Sequence, residues 1–228
     1  MTVTHTSDVT DALRAEGKRA YELDRQHVFH SWAAQDPFSP MTVVKTQGSF
    51  LWDETGKRYI DFSSQMVNTN VGHQHPKVVA AIQEQAATIA TIAPAHVSAP
   101  RSEAARIIAE REPQGMDYVF FTNGGADANE HAIRMARLHT GKTKVLSAYR
   151  SYHGGTHLAV NVTGDPRRFA SDTASTGTVH FLPCYPYRSY FHAENEEQEV
   201  ARALENLENT IVLEGPNTIA ALILETVP

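Results

Sequence analysis

The sequence predicts an α/β protein: a mainly parallel sheet flanked by helices, with a small N-terminal α+β segment. Three observations lead there. From residue 117 onward, short apolar runs alternate with helical patterns, as strands do when they cross over through helices into a parallel sheet. Residues 42–63 read instead as short strands joined by a tight turn. At 228 residues, 41% of them hydrophobic, the chain can bury a substantial core.

Each element has its own signal. From about Asp8 to Ala34 the chain reads helical, with Leu13, Ala20, Leu23 and His27 at helix spacing and Pro37 and Pro40 closing the segment. "TVVKTQGSFLWD" and "KRYIDFS" flank "DETG", with Gly56 where a hairpin turn wants it. "NTNVGHQHP" is a loop; Pro76 opens a helix to about Ile92 and Pro100 opens another. "DYVFFT" reads as a buried strand, followed by the Asn123–Gly125 turn and a helix from about Ala126 to Thr140 that ends at Gly141. "KVLSAY" is a strand, "RSYHGGT" a loop before a short helix, and "TVHFLP" a strand. A polar helix covers roughly 195–209, and "IAALILE" is the last strand. The expected division is 1–75, the N-terminal helix and meander, and 76–228, the sheet-bearing part. The apolar last strand needs neighbours, so a chain ending three residues later reads as a large domain cut through.

Composition removes several classes of function. A net charge of -6 gives no electrostatic footprint for nucleic acid. One cysteine, Cys184, excludes an intrachain disulfide and favours a reducing compartment. No apolar run approaches the roughly 20 residues that cross a bilayer, and no basic-then-apolar leader opens the sequence. A cytoplasmic address with no membrane partner follows by default. The twelve histidines are scattered, without a ligand set at zinc spacing, so no metal is expected.

The turn "FFTNGGADANEHAIRMAR" carries the first chemistry. Gly124 and Gly125 strip side chains where a strand becomes a helix, and the helix start offers unbonded amides and a positive dipole end. Such a place suits a phosphate, though two glycines also make an ordinary tight turn. Neither the GxxxxGK[ST] nor the GxGxxG spacing is present, which favours a phosphate on a compact cofactor over a nucleotide. On the same sheet edge, Tyr152 and His153 could stand over a planar ring, or be a surface aromatic and its neighbour in a glycine-rich turn. Glu225 ends the last strand there, either as partner to a positive group or as an ordinary exposed strand end.

Together with "KVLSAYRSYHGGT", "ALILETVP" and "GSFLWDETGKRYIDFSSQMVNTNVGHQHPKVVAAIQEQA", this turn resembles the class III (omega) aminotransferases, pyridoxal-phosphate enzymes of fold type I. The resemblance runs from about His30 to Pro228. It implies pyridoxal 5'-phosphate as cofactor, with Gly124, Gly125 and Ala126 at the phosphate, Tyr152 stacked on the ring beside His153, and Glu225 beneath the cofactor. Relatives place hydroxyl residues where Gly124 and Ala126 stand, so backbone amides carry more of the phosphate here. Met66 and Val67 match the substrate-pocket loop, and Trp32 the segment near the site entrance. The implied reaction moves an amino group from an amine or ω-amino acid to a keto acid such as pyruvate, in a homodimer. The Schiff-base lysine and the aspartate facing the ring nitrogen are expected beyond Pro228, so the resemblance places no catalytic residue in this chain and implies an N-terminal half inactive by itself. A phosphate- or cofactor-binding half-chain that complements a partner is the alternative.

Overall fold

The computed structural model describes residues 9–171, 173 and 177–225. The chain divides into two compact units, 1–101 and 102–228.

In the first unit, helix α1 (Asp11–His27) starts at Thr10, whose hydroxyl accepts the amide of Leu13 at 3.3 Å. Strands β1 (Val43–Gln47), β2 (Phe50–Asp53) and β3 (Arg58–Ile60) form the expected antiparallel meander. The β2–β3 turn is organised by Asp53, which is buried. Its carboxylate accepts the amides of Thr55 (2.9 Å) and Lys57 (3.0 Å) and the hydroxyls of Thr55 (2.6 Å) and Tyr59 (2.8 Å). Buried Gly17 of α1 lets that helix touch the sheet, since a Cβ there would stand 2.7 Å from Val44 and 2.8 Å from Glu54. Next comes α2 (Ser64–Val67), a single turn in which all four residues have positive φ, between 49° and 65°. Left-handed backbone costs about 1–2 kcal/mol per non-glycine residue, so something must hold it. Asp61 does: its Oδ1 accepts the Gln65 amide and the Ser63 hydroxyl, while its Oδ2 sits 2.7 Å from His73 Nε2. Helix α3 (Pro76–Thr88) follows, stopping short of the expected Ile92, and α4 (Ala99–Ala109), which begins one residue before Pro100, has most of its length in the second unit.

The second unit is an α/β/α arrangement around a parallel sheet with strand order β5-β4-β6, where β4 is Lys144–Ala148, β5 Thr178–Phe181 and β6 Ile219–Ile223. Strand β4 is buried on both faces, and its alternation sorts the layers. Val145 packs with Ile133 of α5 (Gly125–Thr140) and Val162 of α6 (His157–Val162), and Ser147 Oγ donates to the Val162 carbonyl at 2.6 Å. Leu146 and Ala148 face the other way, towards Phe181 and towards Leu207 and Ile211 of α7 (Glu196–Glu214).

One expectation fails. Residues 117–122 form no strand, and Tyr118, Phe120 and Phe121 are exposed. A strand exists only when a neighbour takes up its amides and carbonyls, and no ladder partner meets this segment among the described residues. No helix among the described residues is long and apolar enough to cross a membrane.

Candidate active site

The site is built where β4 ends. Ser151 folds the chain back, its hydroxyl donating to the Ala148 carbonyl at 2.7 Å while its own carbonyl accepts the amides of Gly164 (2.8 Å) and Asp165 (3.1 Å). Gly164 has to be glycine at that crossing, because a Cβ would lie 2.1 Å from the Ala148 oxygen. His153 then turns inward and is buried. Its amide donates to Thr163 Oγ1 at 3.0 Å, and its carbonyl accepts Asn129 Nδ2 of α5 at 2.7 Å. Its Nε2 is buried with no hydrogen-bond partner among the described residues. Burial holds this imidazole below the ordinary histidine pKa, against an opposing pull from the Glu225 carboxylate.

The phosphate side is the start of α5. Gly124 is the N-cap, in extended backbone that any residue can adopt, and a Cβ on either Gly124 or Gly125 would meet nothing within 4 Å. Among the described residues nothing therefore crowds the side-chain positions of this turn. Asp127 is the acidic residue of this first turn, with its carboxylate 3.4 Å from the Asn123 amide and 3.7 Å from His131. Gly154, at φ +135°, lies directly against the helix start; a Cβ there would be 2.5 Å from Ala126 Cβ and 2.8 Å from its Cα. One turn on, Glu130 Oε1 accepts the amides of Leu158 (2.6 Å) and Ala159 (3.2 Å), tying α5 to the start of α6.

The ring side is Tyr152. Its amide donates to Glu225 Oε1 at 2.7 Å, so the carboxylate beyond β6 and the loop beyond β4 share one edge, as parallel strands require. The Arg167 guanidinium carbon stands 3.8 Å from the centroid of the Tyr152 ring. A second planar ring stacked on this tyrosine would take the opposite face or displace that guanidinium.

Six of the residues named from sequence thus meet at one place in the second unit: Gly124, Gly125, Ala126, Tyr152, His153 and Glu225. Trp32, Met66 and Val67 belong to the first unit, where all three are exposed with positive φ. The second unit's two lysines sit at the far end of the sheet. Lys144 opens β4 and bonds the Glu214 carboxylate and carbonyl, and Lys142 reaches the Pro216 carbonyl. A five-residue strand spans about 16 Å, which keeps both amines from the carboxyl edge. Sequence reasoning missed Asn129, Thr163 and Glu130, whose roles depend on contacts 10 to 29 residues away. It also missed Asp165, although Asp before Pro166 is a readable helix-start signal.

The residues fit a phosphorylated aromatic cofactor. A helix start without side chains at its first positions offers amides to an anion, an aromatic residue follows in the adjoining loop, and a buried imidazole nitrogen lacks a partner among the described residues.

Comparison with known proteins agrees. The sequence pattern of the family Aminotransferase class-III matches residues 31–228. The hypotaurine/taurine–pyruvate aminotransferase of Paracoccus denitrificans is 34% identical over 215 residues, 90% of this chain and 46% of that protein. The acetylornithine aminotransferase of Bacillus amyloliquefaciens is 33% identical over 185 residues, 81% of this chain and 79% of that protein. Among solved structures, the taurine:2-oxoglutarate aminotransferase of Bifidobacterium kashiwanohense, in complex with pyridoxal phosphate and glutamate, superposes with a TM-score of 0.84. It is 41% identical, over 92% of this chain and 48% of that one. The chain spans about half the length of the Paracoccus and Bifidobacterium proteins.

Proposed function

The chain belongs to the class-III aminotransferase family, with the fold type I architecture and pyridoxal 5'-phosphate as cofactor, and from that premise we propose that it is the cofactor-holding part of an ω-transaminase. The donor is an amine or ω-amino acid, the acceptor a keto acid such as pyruvate, and the working protein a homodimer. One observation carries the proposal: Gly154 packed on Ala126, with the Tyr152 amide bonded to Glu225, gathers an anion site, an aromatic ring and a carboxylate at one sheet edge.

Each residue then has a task. The amides of Gly125 and Ala126 hold the phosphate, with Gly124 shaping the turn. Tyr152 would stack on the cofactor ring, and Glu225, which holds the Tyr152 backbone in place, would lend negative charge to the site. His153, buried and kept neutral near pH 7, packs beside the ring without adding a charge. Bound pyridoxal phosphate supplies the electron sink that accepts the electron pair of a broken C–H bond. From the family resemblance, Trp32, Met66 and Val67 of the first unit take a part in substrate binding.

A second reading has an observation of its own. Both lysines of the second unit lie at the wrong end of β4 for covalent work. Under this reading the 228 residues bind the cofactor, and a complementing polypeptide brings the lysine. Incubation with pyridoxal phosphate, borohydride reduction and peptide mapping separates the two. Alanine formation from pyruvate and an amine, with a reduced label on a lysine outside these residues, supports the transaminase. Binding without turnover supports the second reading, and a protein that binds no pyridoxal phosphate overturns both.

A further inference from the structure

A cavity of about 700 Å³ in the second unit lies apart from the cradle, since none of the six residues gathered there lines it. Its walls bring Arg150, Arg168 and Arg188 together with the rings of Tyr149, Phe169 and Tyr190. Arg150 reaches it from the end of β4 on left-handed backbone, φ 71°, which a residue other than glycine adopts only at a cost. Its amide donates to the Gly164 carbonyl at 3.0 Å and so fixes the bend. The Arg150 guanidinium carbon then stands 4.2 Å from the Tyr185 ring centroid, and Nη1 donates to the Tyr190 hydroxyl at 3.4 Å. A guanidinium carries five N–H donors, and the others of Arg150 meet no acceptor among the described residues. Arg188 closes the turn Pro186–Arg188 with its guanidinium carbon 5.6 Å from the Tyr187 centroid, and it too donates to no acceptor among the described residues.

The one carboxylate among the lining residues, Asp165, is already engaged by the amide and guanidinium of Arg167. Three positive charges thus stand round one cavity, in a chain whose acidic residues outnumber its lysines and arginines, 26 to 20. Like charges repel, and an anion seated between them turns that repulsion into affinity. We propose that this cavity binds a phosphate monoester of a flat heterocycle, with Arg150 and Arg188 on the phosphate and Phe169 and Tyr190 against the ring. A guanidinium fork matches phosphate oxygens two at a time. The volume suits an ester better than inorganic phosphate, because cavities of this size hold small organic molecules. Phe169 and Tyr190 are both exposed, so their rings offer a stacking surface. The competing explanation is three solvated arginines that stack on neighbouring rings for packing alone.

A mononucleotide and a pyridoxine-type phosphate share the required chemistry, and calorimetry separates them. The full protein is loaded with pyridoxal phosphate, so that the cradle is filled, and freed of the excess. It is then titrated with AMP and with 4'-deoxypyridoxine 5'-phosphate, which lacks the aldehyde that reacts with amines. Adenosine and inorganic phosphate are the controls. At least one ester should bind more tightly than either control. Arg150→Met and Arg188→Met should each weaken that binding about 10- to 100-fold, with lysine at either position in between. Tighter AMP assigns the site to a nucleotide, and tighter deoxypyridoxine phosphate to a relative of the cofactor. Arg188 lies on an exposed turn, so Arg188→Met should keep the native urea midpoint and decides the matter alone if Arg150→Met does not fold. Ester affinity unchanged in Arg188→Met overturns the proposal. So does adenosine or inorganic phosphate binding as tightly as the esters, and so does the failure of both esters to bind at millimolar concentration.

Discussion

Replacing Gly154 by alanine should break the contact that joins the two halves of the cofactor cradle. The cost has two parts. At φ +135° an L side chain is strained, by about 1–3 kcal/mol. The new methyl would also stand 2.5 Å from Ala126 Cβ, 2.8 Å from Ala126 Cα and 3.0 Å from Ala159 Cβ. These are helix backbone or its first side-chain atom, so no flexible tip can swing aside, and overpacking adds about 1–3 kcal/mol. The total, about 2–6 kcal/mol, is a large part of the roughly 5–15 kcal/mol that holds a domain folded. Gly155 provides the control, since among the described residues a Cβ there meets only the Tyr152 hydroxyl at 3.9 Å, and Gly155→Ala should stay within about 0.5 kcal/mol. Urea denaturation reads both: the midpoint drops in Gly154→Ala with an unchanged slope, and holds in Gly155→Ala. Titration with pyridoxal phosphate should show weakened affinity in the first alone, because relief of the clash moves the Tyr152 loop off the α5 start. Equal midpoints for the two variants would refute the packing argument. A lowered midpoint with native cofactor affinity would refute the link between that packing and the cradle.

Glu130→Ala removes the acceptor of two α6 amides and should cost about 1–3 kcal/mol in urea denaturation, while Glu130→Gln, which keeps an oxygen there, costs less than half of that. Acid sensitivity should track Asp53 and Asp61. Burial works to raise the Asp53 carboxyl, but hydrogen bonds from Thr55, Tyr59 and Lys57 outweigh it, and the His73 hydrogen bond leads the lowering of Asp61. Both sit below the ordinary 3.8, so the stability they supply is complete above that value and is lost as pH falls through their folded-state pKa values. The loss in urea midpoint between pH 6 and pH 3 should therefore be smaller in Asp53→Asn than in the native protein.

What could be read from the sequence was whatever local chemistry decides. The helix after Asn123-Gly124-Gly125 and the alternation from Lys144 onward each have their cause within a few residues, and both are present. Gly56 in "DETG" marked one hairpin correctly, whereas the tighter Gly48-Ser49 turn, with Gln47 paired to Phe50, passed unnoticed because no Asn-Gly or Asp-Gly announces it. The left-handed turn Ser64–Val67 had no glycine or asparagine to betray it; its shape comes from Asp61 and, through it, His73, twelve residues away. Residues 117–122 show the reverse error. Their side chains favour a strand, but pairing decides whether one exists, and pairing is not a property of the segment. At the site, the same division holds. Tyr152 and the two glycines were visible as residue types in a suggestive order, while the burial of His153 depends on Thr163 and Asn129 and could only come from the fold.

The bare turn also sets a quantitative expectation. Gly124 and Ala126 lack the hydroxyls that the family commonly places beside the phosphate, and the first-turn side chain is the carboxylate of Asp127 rather than a cation. Amides and the helix dipole must then hold a dianion unaided, and a dipole end alone is worth only about 0.3–1 kcal/mol where exposed. A hydroxyl restored at Gly124 would add a hydrogen bond to a charged group, about 1.5–3 kcal/mol, or roughly 10- to 100-fold in affinity. Among the described residues nothing opposes the change sterically: the backbone there is extended, and a Cβ meets no atom within 4 Å. Gly124→Ser should therefore bind pyridoxal phosphate more tightly, with a urea midpoint at least equal to the native one, because serine is also the better N-cap. Unsubstituted pyridoxal separates the causes, since it lacks the phosphate and should gain nothing. If both ligands tighten equally, the serine acts on the fold of the turn. If neither does, the phosphate is not held at the start of α5.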